Sequence, residues 1–312
     1  MSNGKSYDYV IVGAGSAGCT LANRLTEDPD TQVLVIEAGG SDRNPIITVP
    51  LGWGKILFER LYDWGYFTEE ESEFNDRKVE CARGKVLGGS SSINAMAYVR
   101  CHREDYDRWS RDGCTGWSYA DVLPYFIKSE DWEKGDQPLR GTGGPLTTIE
   151  NKYPDPLLEA WLTAGEQAGF SRTDDYNGSQ NEGLGTLQST IRNGRRCSAA
   201  VAYLRPAMKR SNLTVITNAL AHRVVMEGTK ATGVEYSTGS NATTIVRAER
   251  EVIVAGGVIN SPQLLMLSGI GDSAHLAEHG ISTAIDLKGV GQNLQDHLSV
   301  GVEYERIGDG PF

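Results

Sequence analysis

The residues whose types and spacing most clearly suggest chemistry are Gly13, Gly15 and Gly18, set as G-x-G-x-x-G directly behind the β-branched run Val10, Ile11 and Val12. Glycine lets a strand turn sharply, a second glycine lets a pyrophosphate reach backbone amides, and a third lets a helix pack close to the strand. The helix that follows offers the same anion its unpaired amides and the positive end of its dipole. Beyond the helix, the apolar run Val33, Leu34, Val35 and Ile36 ends at Glu37. A carboxylate there accepts hydrogen bonds from a ribose diol and repels a 2′-phosphate. Residues 9–37 therefore read as a βαβ unit for a dinucleotide, with FAD and NAD both open at this point.

The elements that must position these residues belong to a chain of 312 residues, long enough for a large core and two domains. A net charge of −11 and a pI near 5.0 argue against nucleic acid as a partner, because a phosphate backbone calls for a basic surface. The first strand begins within ten residues of Met1, and no apolar run reaches membrane-spanning length, so a cytoplasmic protein without a transmembrane segment is expected. Cys19, Cys81, Cys101, Cys114 and Cys197 are scattered and lack metal-ligand spacing, which points to reduced structural thiols and no metal.

A second chemically dense stretch is RGKVLGGSSSIN, residues 83–94. Its many small residues imply close approach to something. Capping of a following helix by Ser90, Ser91 or Ser92 accounts for one serine, but not for Gly88, Gly89 and Asn94 together. Before it, residues 41–75 form a Gly-, Pro- and aromatic-rich excursion in which Asp63 and Trp64 read first as packing and second as neighbours of the nucleotide.

ARGKVLGGSSSINAMAYV resembles the first signature of the glucose-methanol-choline (GMC) flavoprotein oxidoreductases, most like its bacterial choline and alcohol dehydrogenases. YDYVIVGAGSAGC also resembles that family, as do GGVINSPQLLMLSGIG at 256–271 and GVGQNLQDHL at 289–298. The resemblance implies an α/β fold: a Rossmann-like FAD-binding domain, with a parallel sheet plus a small antiparallel one, carrying an inserted α+β substrate-binding domain. The expected segments are 1–145 and 196–298 for FAD, 146–195 for the first part of the substrate domain, and 299–312 opening its second part.

The resemblance also makes the cofactor FAD. Its implied contacts are Gly13, Gly15, Ser16, Gly18, Glu37, Ala38, Trp64, Arg83, Val86, Gly89, Ser90, Asn94, Ala95, Met96, Ala221, Ala255 and Gly256. Members with covalent flavin carry a histidine where this chain has Ile93, so dissociable, non-covalent FAD is expected. Two residues depart from the family pattern, Cys101 at a usual glycine and Val258 at a usual small residue.

The implied reaction oxidises a small-molecule alcohol to an aldehyde or ketone. A base takes the hydroxyl proton, hydride goes to flavin N5, and dioxygen or a quinone-type acceptor reoxidises the flavin. His102, His222, His275, His279 and His297 offer no convincing base. Family members place their histidine in a C-terminal segment, so the base is expected beyond Phe312. The chain is then a fragment, or one part of a split protein with a complementary chain, with an incomplete sheet and an exposed apolar face. A non-catalytic FAD-binding subunit is the alternative, and an NAD enzyme would leave every motif after Glu37 idle.

Among the remaining elements, residues 105–130 and 154–169 show helical spacing, with Trp109, Trp117, Tyr119 and Tyr125 expected to face a core. Residues 183–191 alternate like a strand, and 198–208 read as a helix. Residues 212–227, 230–236 and 243–254 read as a small antiparallel sheet feeding back into the parallel one. Ser261-Pro262 reads as the N-cap and first turn of a helix.

Overall fold

The computed structural model describes residues 6–135, 137–153, 156–239, 242–297, 301, 303 and 305. The segment expected at 299–312 therefore lies, apart from three residues, outside the described part. Two compact units form, one from Met1–Ala95 with Asn193–Leu294 and the other from Met96–Arg192 with Gln295–Phe312. Residues 96–145, expected with the FAD-binding segments, sit in the second unit. There Glu130–Trp132 pairs in parallel with Leu146–Glu150 and carries a sheet across residue 145.

The first unit is built on β1 (Ser6–Val12), helix α1 (Ser16–Leu25), β2 (Val33–Ile36), β3 (Leu213–Ile216), β4 (Ala219–Glu227), β5 (Lys230–Thr238), β6 (Thr243–Val254) and helix α2 (Gly257–Leu267). The sheet order is β3-β2-β1-β6-β5-β4. The first three pairings are parallel and the last two antiparallel. Tyr9 to Val12 lie opposite Val33 to Ile36, which in turn lie opposite Leu213 to Ile216. β2 is buried along its whole length, as an all-aliphatic strand covered on both faces must be. Val10, Val12, Leu34, Ile36, Val234, Val246 and Leu264 pack into one core, each contributing about 1.5–3 kcal/mol by burial.

β6 serves both kinds of pairing. Its first part, Thr243 to Arg247, pairs antiparallel with β5, and from Arg247 to Val254 it pairs parallel with β1. Among the described residues, Ala248 to Val254 pair on the β1 side only. The helix expected at 198–208 is a π-turn, Ala200–Leu204, continuing into Arg205–Ala207 and packed on α1, where Asn23 Nδ2 donates to the Tyr203 carbonyl at 2.8 Å.

In the second unit, helices span Arg103–Arg111, Tyr119–Ser129 and Pro156–Gln167. The first two are separate because Gly113 and Gly116, with φ of 109° and 84°, turn the chain between them. Neither helix holds a fully buried residue, and Trp109, Trp117 and Tyr125 are exposed, contrary to the expected core-facing arrangement. Trp109 and Trp117 pack on one another instead, with Trp109 edge-on to both Tyr106 and Trp117. The unit's buried centre is polar. Glu130 receives Arg100 Nη2 at 2.6 Å and Arg140 Nη2 at 2.7 Å, while Arg140 Nη1 donates to Asp175 at 2.7 Å and its guanidinium lies 3.8 Å from the Trp132 ring centre.

Candidate functional site

The glycines of the first motif divide their work by geometry. Gly13 has φ of 101°, and a Cβ there would sit 2.5 Å from the Ala255 carbonyl oxygen at the end of β6. A Cβ on Gly18 would lie 1.9 Å from the Gly13 carbonyl oxygen, so this glycine sets how closely α1 approaches β1. At Gly15 a Cβ would meet only Gly89 Cα, at 4.0 Å. Gly15 is also the N-cap of α1 and supplies no capping side chain, which leaves the first amides of α1 for another acceptor.

Glu37 closes the far side. It is 5% exposed, and its two carboxylate oxygens accept the amide protons of Ala14 and Gly39, each at 2.7 Å. Burial pushes its carboxyl pKa above the usual range, against the two amides and the charge of Lys85, which pull it down. The carboxylate therefore shapes the turn before it touches any ligand, and each oxygen keeps a second lone pair for one.

The close approach implied by the small residues at 84–92 is to this first glycine turn. Gly88 N–H donates to the Ala14 carbonyl at 2.8 Å, and a Cβ on Gly89 would lie 2.7 Å from Gly15 Cα. A Cβ on Gly39 would lie 2.2 Å from the Lys85–Val86 backbone, where Gly40 and Val86 form a bridge. The serines do not cap a helix, because the chain makes only a 3-10 turn at Gly89–Ser92 and the next helix starts at Arg103. Ser90 Oγ accepts from the Gly84 amide, Ser91 Oγ donates to the Gly88 carbonyl and accepts from the Ala199 amide, and Ser92 Oγ donates to the Leu87 carbonyl. Short hydroxyl side chains thus replace regular backbone pairing in the loop.

Between these loops, β4 and α2 lies a cavity of about 500 Å³, a size usual for cofactor sites. Of the residues implied by the sequence, Gly13, Gly15, Ser16, Glu37, Ala38, Trp64, Arg83, Gly89, Ser90, Ala221, Ala255 and Gly256 line it. Gly18 and Val86 are buried behind it. Asn94 and Ala95 are exposed and do not line it. Met96 belongs to the second unit, where it is buried and its carbonyl accepts from the Thr190 amide.

Trp64 is a wall residue, stacked on Tyr66 at 5.8 Å with Lys85 Nζ 4.5 Å from its ring centre. Asp63 positions it without lining the cavity, accepting from the Arg83 and Gly65 amides. The wall residues missed by sequence reasoning include Asn260, which accepts from the Tyr66 hydroxyl at 2.8 Å, and Gln263. The signal for them was the second signature itself, read with its helix starting too late. The helix begins at Gly257, so Ser261 and Pro262 lie inside it and Ser261 is not its N-cap.

Ile93 points into an apolar cluster with Ile47, Ile56 and Val86. His102 caps the helix Arg103–Arg111, His222 bonds Ser237, and His275, on the exposed face of the short helix Ser273–Glu278, stands edge-on to His279 at its C-terminal end. No histidine lines the cavity, and no cluster of metal-ligating side chains occurs among the described residues. No helix of the described residues is long and apolar enough to cross a membrane.

Oxygen-dependent choline dehydrogenases from Brucella ovis and Rhizobium etli are each 52% identical to this chain, over 96% and 93% of it and 54% and 53% of their own lengths. The chain thus spans about half the length of the curated relatives it matches. Among solved structures, pyridoxine 4-oxidase from Mesorbium loti superposes with a TM-score of 0.85 at 38% identity, covering 90% of this chain and 55% of that one. A formate oxidase from Aspergillus oryzae gives a TM-score of 0.87 at 33% identity, over 95% and 53%. The family model for GMC oxidoreductase matches residues 7–299, nearly the whole chain, and the chain belongs to that family.

Proposed function

We propose that this chain is the FAD-holding portion of an enzyme that oxidises a small alcohol to an aldehyde or ketone. The observation that carries the reading is the single cavity that joins the α1 N-terminus, Glu37, the Gly89–Ser90 turn and Ala221. Ser16 and Ala17 at the start of α1 would hold the pyrophosphate, Glu37 the ribose, and the β4 backbone at Ala221 the adenine edge. Gly89, Ser90, Asn94 and Ala95 would hold the isoalloxazine ring. The first unit is then the FAD domain, and the second unit is the start of the substrate domain. With Ile93 turned into the core, FAD is held without a covalent bond.

When bound, FAD supplies the acceptor for the two electrons and the carbon-bound hydrogen of the alcohol. The chain's own residues bind it, orient it and exclude water from its buried face. The base that takes the hydroxyl proton is assigned to a segment beyond Phe312, where the family resemblance puts it. Dioxygen or a quinone-type carrier completes the cycle.

The visible spectrum of the purified protein tests the reading. A flavin band bleached by an added alcohol is expected once the remaining half is present, with choline tried first because it names the 52%-identical relatives. Precipitation with acid should release all of the flavin into solution. A protein that takes up no flavin would sink the proposal.

A further inference from the structure

Against the Gly89–Ser92 turn, and not among the residues that line the cavity, lies Arg196, only 2% exposed. Its Nε donates to the Ile47 carbonyl at 2.9 Å. Its Nη1 donates to the carbonyls of Ser91 and Asn94 at 3.3 and 2.6 Å and to the Asn94 side-chain oxygen at 2.9 Å. Its Nη2 is buried without any partner, and no carboxylate pairs with the guanidinium among the described residues. An arginine so placed is costly to desolvate, and the second unit shows how this chain otherwise buries arginine, against Glu130. Burial alone pulls the Arg196 pKa down to about 10, which still leaves it charged at neutral pH.

We propose that Arg196 is a positioning residue for the flavin: it fixes Asn94 by its carbonyl and amide oxygens and sets an unneutralised positive charge behind the turn that faces the ring. This rests on the FAD reading above. A guanidinium is suited to the task because its Nε and Nη1 donate at once to Ile47 and to the 91–94 loop, and because it stays charged when buried. A nearby cation favours the reduced, more negative ring over the oxidised one.

The test measures the FAD dissociation constant and two-electron midpoint potential in the wild type, Arg196→Lys, Arg196→Gln, Asn94→Ala and the Arg196→Gln/Asn94→Ala double variant. Arg196→Gln is expected to lose about tenfold in preference for reduced over oxidised FAD, a fall of about 30 mV. Arg196→Lys, which keeps the charge, should recover more than half of that fall. The double variant should lose less than the sum of its parts, because one residue acts through the other. An unchanged potential in Arg196→Gln, or strict additivity with Asn94→Ala, overturns the proposal. So does loss of folded protein in both Arg196 variants, which would assign the residue to the scaffold. A wild type that takes up no FAD overturns the cofactor reading and the proposal with it, whereas FAD-loaded variants that match the wild type overturn the proposal alone.

Discussion

At the scale of single residues, three glycines with one sequence signature have different stakes, and substitution separates them. A methyl at Gly18 would have to occupy space 1.9 Å from the Gly13 carbonyl oxygen, so Gly18→Ala should lower unfolding free energy in urea by about 1–3 kcal/mol. A methyl at Gly15 meets only Gly89 Cα at 4.0 Å, yet it stands on the cavity wall. Gly15→Ala should therefore melt like the wild type while binding FAD about tenfold more weakly, about 1.4 kcal/mol, by fluorescence titration. Equal losses of stability in the two variants would contradict this division. Glu37 makes a pH-dependent prediction. Because burial raises its folded pKa, the folded chain keeps a proton that the unfolded chain releases above about 4.5. Its contribution to stability is thus fully present below the unfolded pKa and is lost as pH rises through the folded one. In FAD-free protein, the stability of the wild type minus that of Glu37→Gln should fall as pH rises from 4.5, by at most about 1.4 kcal/mol per pH unit. A difference that stays flat with pH would show that Glu37 has no raised pKa.

At the scale of elements, the site depends on two glycine loops that lie far apart in sequence and interlock in space. The first was readable in detail, because strand, turn, helix and acidic strand end follow one another locally at Val10, Gly13, Gly18 and Glu37. The β4–β6 block was readable for the same reason, its strands being joined by short turns, whereas Leu213–Ile216, read with that antiparallel sheet, pairs in parallel with β2 at the opposite edge. The second loop was readable only as crowded. What it crowds against, Ala14 and Gly15, lies more than seventy residues away, and no local pattern encodes a contact of that range. Capping, weighed for one of the serines at 90–92, does not occur, because the same hydroxyl groups also satisfy non-helical turns. Cys101 is the instructive exception: its φ of 65° is the backbone state that explains why a glycine is usual there. The Glu130 hub escaped notice entirely, since Arg100, Glu130, Arg140 and Asp175 show no periodicity that would betray burial. It is testable, because Glu130→Gln would leave two buried guanidinium groups facing a neutral amide. Breaking a buried pair costs about 3–5 kcal/mol, so this variant should unfold its unit well before the wild type in a thermal scan. A loss below about 1 kcal/mol would mean that solvent reaches the hub.

At the scale of the whole molecule, the chain crosses between its two units three times, near residues 95, 192 and 294, and all of the cavity's walls come from the first unit. A ligand stabilises only the state that binds it, so FAD should act unevenly along the chain. At a concentration one hundred times its dissociation constant it should add about 2.7 kcal/mol to the unit that holds it. Hydrogen exchange gives the sharpest readout, since it follows opening segment by segment. Protection should rise in the turns at Gly13–Ser16 and Gly84–Ser92, in β4 around Ala221 and in the first turns of α2. The amides around Arg100, Glu130 and Arg140, which are organised by their own ion pairs, should exchange at the same rate with and without FAD. Protection spread evenly over both units would instead mean that they open as one cooperative body.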